Sequence, residues 1–144
     1  MTGWAGALAE ATFGAARDER DVLFLPVGAG IAGTALVDGR LLVAARVREG
    51  DPDAVAVWDQ AVAALAHGLT AAVALLAPRL IVVGGGLADS GDLLLRPLSE
   101  ILLARLSPRS ARMPRLVRAA LGDQAGCLGA ALLARRALGA GPSP

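Results

Sequence analysis

The sequence predicts an α/β fold: a mixed sheet with helices packed on its faces, built in the order β-β-β-α-β-α-β-α. Three observations carry this. Short continuous apolar runs bounded by turn residues occur at Val22 to Val27 and at Leu80 to Val83, as strands buried on both faces require. Between them lies a long stretch in which Val55, Trp58, Val62, Leu65, Leu69, Val73 and Leu76 recur at three- and four-residue steps, the period of one helix face. The alternation of such strands and helices after a hairpin signal at Asp38-Gly39 favours crossover units on one sheet.

Taken in order, residues 4 to 16 (WAGALAEATFGAA) form an amphipathic helix with Leu8 and Ala11 at helical spacing. Asp18 to Asp21 is a charged turn, and Val22 to Val27 the first strand, with Pro26 marking an edge or the strand's end. Gly28 to Gly33 (GAGIAG) is a glycine cluster, after which Thr34 to Val37 and Leu41 to Val47 complete an antiparallel three-strand meander. Asp51 as N-cap and Pro52 at the first helical position open the long helix, which buries Trp58, Leu65 and Leu69 against the sheet and ends at Pro78. Leu80 to Val83 is the fourth strand and runs into Gly84-Gly85-Gly86. Asp92 to Leu106 is a helix bent near its start by Pro97, Leu116 to Ala120 the fifth strand, and Gly122-Asp123 the start of a last helix reaching Leu138. Gly139 to Pro144 is a frayed tail. This is the order of a ribonuclease-H-like core within one domain, residues 1–144, with residues 1–17 as a preceding helix and 21–138 as the core.

Composition narrows the function. The chain has 144 residues, which suits one core rather than two catalytic lobes. Fourteen basic residues, all Arg, face 13 acidic ones for a net charge of +1, so a basic face that neutralises many phosphates, and with it a nucleic-acid partner, is not expected. A single Cys excludes an internal disulfide framework and a multi-Cys zinc site. The mean hydropathy of +0.56 excludes a disordered chain. Its longest apolar stretch, Ala61 to Ala77, is Ala-rich and interrupted by His67, Gly68 and Thr70, which reads as a packed helix rather than a membrane span. Met1 to Ala11 lacks a basic n-region, so a cytoplasmic protein without a signal peptide is expected.

Two glycine clusters are the candidate chemistry. Gly28 to Gly33 lies between two strands, unlike a dinucleotide fingerprint, which must open a helix, and it lacks the Lys and Ser/Thr of a P-loop. It is either a hairpin turn needing positive φ or a backbone cradle for an anion. Gly84 to Gly86 follows a buried strand and precedes a helix, where open α/β sheets bind ligands; the other reading is a turn needing glycine for sterics. Reactive side chains are few. His67 reads as a helix histidine without a ligand role, Cys127 as a small core residue, Asp123 as an N-cap, and Asp59 and Glu10 as solvated helix faces. Arg105, Arg109, Arg112, Arg115 and Arg118 read as a solvated basic surface.

The segments LFLPVGAGIAGTALVDGRLL, LIVVGGGL and ALGDQAGCLGAALLA, in this order, resemble the C-terminal lobe of ROK-family sugar kinases, bacterial glucokinases above all, over about residues 5 to 138. The resemblance implies an actin- and hexokinase-type ATPase lobe. It implies that Gly28, Ala29, Gly30 and Gly33 face the phosphates of ATP, with Mg by implication, and that Gly84, Gly85 and Gly86 face the nucleoside. Ala29 stands where the family usually has Thr. The family's general base, an Asp before the first helix, has no counterpart in Met1, Thr2, Gly3 or Trp4. Its Glu-x-Gly-His sugar segment and Cys-rich zinc segment have none between Leu42 and Asp51. The resemblance therefore implies a truncated kinase lobe with no catalytic or metal residues of its own, weak or vestigial ATP binding and no zinc. The other expectation is a non-enzymatic interaction module or partner-dependent regulatory remnant. There, the face left by the absent lobe would meet a second copy or a partner chain, with no nucleic acid or membrane involved.

Overall fold

The structure is a computed structural model and describes residues 2–27, 36–37, 40–106, 113–122 and 124–139. Three strands, β1 (Val22–Pro26), β2 (Leu80–Gly84) and β3 (Arg115–Arg118), form a sheet in the order β1-β2-β3. Both pairings are parallel, with Val22 opposite Leu80 and Leu80 opposite Arg115. Alternation sorts the sheet's side chains onto two faces. Leu23, Leu25, Ile81, Val83 and Leu116 meet one helical layer; Val22, Phe24, Leu80, Val82 and Val117 turn to the other. The central strand, LIVVG, is buried throughout, as its uninterrupted apolar run predicts.

The meander expectation is corrected. Leu36–Val37 and Arg40–Leu41 pair antiparallel as a two-residue ladder of their own, so among the described residues no antiparallel strand joins the parallel sheet. Leu42–Arg48 is helix α2 rather than a third strand. Its Ala44, Ala45 and Arg residues are good helix formers, and Val43, Ala44 and Val47 fall on one helical face that packs into the core. A short apolar run cannot separate strand from helix by pattern alone.

Helix α1 (Thr2–Phe13) and helix α5 (Gln124–Gly139) cover one sheet face. They approach closely because small residues face each other: Gly6 lies on the Phe24 ring and near Ala125, and Gly129 sits against the backbone of Ala5. The opposite face carries α2, helix α3 (Pro52–Leu76) and helix α4 (Asp92–Arg105). Asp51 caps α3 as expected, accepting from the backbone N–H groups of Asp53 at 3.0 Å and Ala54 at 3.1 Å. The Ala54 bond above all, helped by the Arg46 guanidinium in ion pair with Asp51 and by the Asp53 bond, holds its carboxyl below its ordinary value against the opposing desolvation. The α2–α3 junction is further closed by the Asp51 N–H, which donates to the Arg46 carbonyl.

Along α3, Ala54, Trp58, Val62, Ala66, Leu69 and Val73 are buried, while Leu65 is only half-buried. By length and composition α3 could cross a membrane, although one such helix is also what a protein core contains; here one of its stripes lies in the core cluster against the sheet. The helix stops at Ala77, which adopts a left-handed conformation with φ 45°, before Pro78. Helix α4 runs through Pro97. Proline has no N–H to give to the carbonyl four residues earlier, and here the Trp58 indole N–H donates to that Leu93 carbonyl at 3.2 Å. One indole thus fills the core and repairs the neighbouring helix's broken ladder.

Candidate functional site

The carboxyl end of the parallel sheet is where an α/β fold presents ligand-binding backbone, and the Gly84–Gly86 turn stands there. Its three glycines have different physical reasons. A methyl at Gly84 would lie 3.2 Å from the Phe24 ring and 3.4 Å from the Ala119 side chain, so Gly84 admits the α1-side packing. Gly85 has φ 86°, and a methyl there would strike the Val27 carbonyl, lying 2.9 Å from its carbon; the Val27 N–H in turn donates to the Gly84 carbonyl at 2.8 Å. Gly85 lets the exits of β1 and β2 touch. Gly86 is exposed, has no positive φ, and a methyl on it would meet nothing within 4 Å. Only Gly86 therefore has no packing reason to be glycine.

Beyond the turn, Gly86–Ser90 form a short 3₁₀ helix. Its Asp89 pairs with Arg118 at the end of β3 at 2.5 Å, both side chains being more than half exposed. That ion pair spans the exits of two neighbouring strands, but it is an exposed pair and contributes little to stability. The Ala119 N–H donates to the Val83 carbonyl at 2.8 Å, which carries the strand pairing up to the turn. The surface thus consists of open backbone at Gly86 flanked by one acid and one base.

The first glycine cluster, Gly28, Ala29, Gly30 and Gly33, lies outside the described residues, as do Asp38, Arg109, Arg112 and Asp123. His67 is exposed, with its Nδ1 3.4 Å from the Arg105 guanidinium. Arg115 pairs with Glu19, so the described arginines of the basic run are exposed side chains, two of them in ion pairs. Cys127 is corrected from core to exposed: α5 buries Ala125, Gly129 and Leu132, and position 127 falls off that stripe. No group of three His, Cys, Asp or Glu gathers among the described residues. A cleft of about 260 Å³ lies elsewhere, between α1 and β1, lined by Ala7, Leu8, Ala11, Val22 and Phe24 together with Glu19 and Arg20.

Glu10 is the residue that sequence reasoning missed. Its side chain is fully buried, whereas Asp59 is exposed as expected. The carboxylate accepts three backbone N–H bonds: Ala15 at 2.8 Å and Ala120 at 3.1 Å on Oε2, and Leu121 at 2.7 Å on Oε1. A methyl at Gly14 would run into the carboxyl group, 2.7 Å from its carbon. The available signal was helical spacing: Ala5, Gly6 and Ala9 place Glu10 on the small-residue face, and Gly14 leaves it room.

A sequence model of the ROK family matches residues 42–137, about two thirds of the chain. The chain belongs to the ROK family. A glucokinase of Thermotoga maritima is 30% identical over 92 residues, which are 64% of this chain and 29% of that protein. An N-acetyl-D-glucosamine kinase of Erwinia tasmaniensis is 44% identical over 88 residues, 61% of this chain and 28% of that protein. A glucokinase of Streptomyces coelicolor is 34% identical over 121 residues, 83% of this chain and 37% of that protein. The chain therefore spans about a third of the length of these curated relatives. In fold, it superposes on a ROK family glucokinase from Streptomyces griseus, solved with glucose and AMPPNP, with a TM-score of 0.77 and 21% identity. That match covers 94% of this chain and 67% of the other. A ROK family transcriptional regulator gives a TM-score of 0.74 at 18% identity, covering 93% of this chain and 50% of the other. The ROK match begins at Leu42, the first residue of α2.

Proposed function

We propose that this chain is a ribonuclease-H-like nucleotide-binding lobe of the ROK sugar-kinase type, cytoplasmic, and unable by itself to phosphorylate a sugar. The observation that carries the nucleotide half is Gly86, a glycine at a strand's carboxyl end whose bare backbone no packing contact explains. A flat nucleoside can lie on such backbone, with Gly84 and Gly85 shaping the turn beneath it. Gly28, Ala29, Gly30 and Gly33 would face the phosphates. When bound, Mg-ATP would supply the transferable phosphoryl group; this chain's part is to hold the nucleoside, and Asp89 and Arg118 offer one acceptor and one donor beside it.

The incapacity rests on the α2–α3 junction. The family places its sugar-binding and zinc segments between the hairpin and the long helix. Here Arg40–Leu41 runs straight into α2, and Gly50 and Asp51 turn directly into α3. Only α2 and its turn fill that interval, without the family's sugar-gripping segment, and positioning provides most of the rate in phosphoryl transfer. A second reading, a non-enzymatic regulatory or interaction module, is supported by the transcriptional regulator that shares this fold.

Calorimetric titration with Mg-ATP tests the reading. Wild type should bind, and Gly86→Val should weaken binding at least about tenfold, close to 1.4 kcal/mol, with an unchanged thermal midpoint. A coupled assay should show no glucose-dependent ADP release. Equal affinity in the variant, or glucose-dependent turnover, would overturn it; absence of any nucleotide binding would leave the regulatory module as the better account.

A further inference from the structure

We infer that Glu10 is a positioning residue for the candidate nucleotide surface, clamping the exit of β3 to helix α1; this rests on the reading of the Gly84–Gly86 turn as nucleotide-facing. The carboxylate is fully buried, a placement that is costly unless its lone pairs are satisfied. Its three donors come from two places. Ala15 lies in the turn that follows α1, which the Gly14 and Ala16 N–H groups also close by donating to the Glu10 carbonyl. Ala120 and Leu121 lie more than a hundred residues away, where the chain leaves β3 for α5. That exit segment begins at Ala119, whose side chain borders Gly84 and whose N–H bonds the Val83 carbonyl.

The side chain's role as acceptor alone matters to the geometry. An ionised carboxylate offers about four acceptor sites and no donor, so it can take all three N–H groups. Glutamine has the same shape but turns an NH₂ toward one of those N–H donors. At least one bond is lost and two donors are brought face to face. The exit segment is then free to shift against Gly84, and with it the rim that Arg118 and Asp89 form. By linkage, a nucleotide held at that rim would in turn tighten the clamp.

Two readouts on the full chain test this. Glu10→Gln should speed amide hydrogen exchange at Ala120 and Leu121 at least about tenfold relative to amides of α3, and should weaken Mg-ATP at least about tenfold. Leu98→Ala, a cavity in the fully buried core of the other layer, should lower the thermal midpoint yet leave Mg-ATP affinity within about twofold. Should Glu10→Gln fail to fold, Gly14→Ala displaces the same carboxyl group without replacing it and should move both readouts in the same direction. The inference is overturned if exchange rises no more at Ala120 and Leu121 than in α3, or if exchange rises there while affinity stays unchanged. If wild type binds no Mg-ATP, the nucleotide reading fails and the positioning role falls with it, whereas the exchange data still decide whether the clamp exists.

Discussion

Two glycines three residues apart in α5 should respond in opposite directions to the same substitution. Gly126→Ala adds a methyl into open space. In a helix that change gains about 0.5–1 kcal/mol, because glycine loses more backbone entropy on folding. For a domain of this size the gain corresponds to a rise of roughly 3 °C in thermal midpoint. Gly129→Ala adds the same methyl, but its ideal position coincides with the Ala5 carbonyl and lies 2.7 Å from the Ala5 α-carbon. Both obstacles are backbone, so no rotamer change relieves them, and α1 must move away from α5. Overpacking of this kind costs about 1–3 kcal/mol, occasionally more. Here the displacement also strains the Glu10 bonds to Ala120 and Leu121, so a loss of about 3 kcal/mol is expected. Urea unfolding followed by circular dichroism measures both variants. A Gly129→Ala protein within about 0.5 kcal/mol of wild type, the usual range of a surface change, would refute the close α1–α5 packing.

Two further outcomes follow from helix ends. Ala77→Gly should raise stability by up to about 1 kcal/mol, read as a higher thermal midpoint, because an L-residue in the left-handed region costs about 1–2 kcal/mol and part of the gain is returned as unfolded-chain entropy; the φ of 45° at Ala77 marks the site. Asp51 has a folded pKa below its ordinary 3.8. Its cap therefore stabilises fully above that ordinary value, and the contribution fades as pH falls through the lower folded value. The gap in thermal midpoint between wild type and Asp51→Ala should be constant from pH 7 to about pH 5 and close below about pH 4.

Local chemistry made α3 and the buried strands readable: Asp51-Pro52 is a start signal whose partners lie two and three residues on, and VLFLP and LIVVG are short runs ended by proline and glycine. Leu42–Arg48 was harder, since seven apolar and Arg residues satisfy either period until the tight turn at Gly50 and Asp51 selects a helix. Glu10 could not be read as a clamp, because two of its three donors lie at the far end of the chain. The Gly84–Gly86 cluster was visible as a cluster. That two of its members serve packing and one does not became apparent only once Val27, Phe24 and Ala119 stood beside it.

The indole bond to Leu93 makes the history of two positions order-dependent. With alanine at 97, helix α4 would close its own ladder, and an aromatic ring without N–H could replace Trp58 at the loss of one bond it no longer needs to make. With proline at 97, that replacement leaves the part-buried Leu93 carbonyl without its donor. A lineage can therefore exchange the tryptophan easily only after giving up the proline, so present-day Pro97 acts as a latch on which aromatic side chains its neighbouring helix accepts.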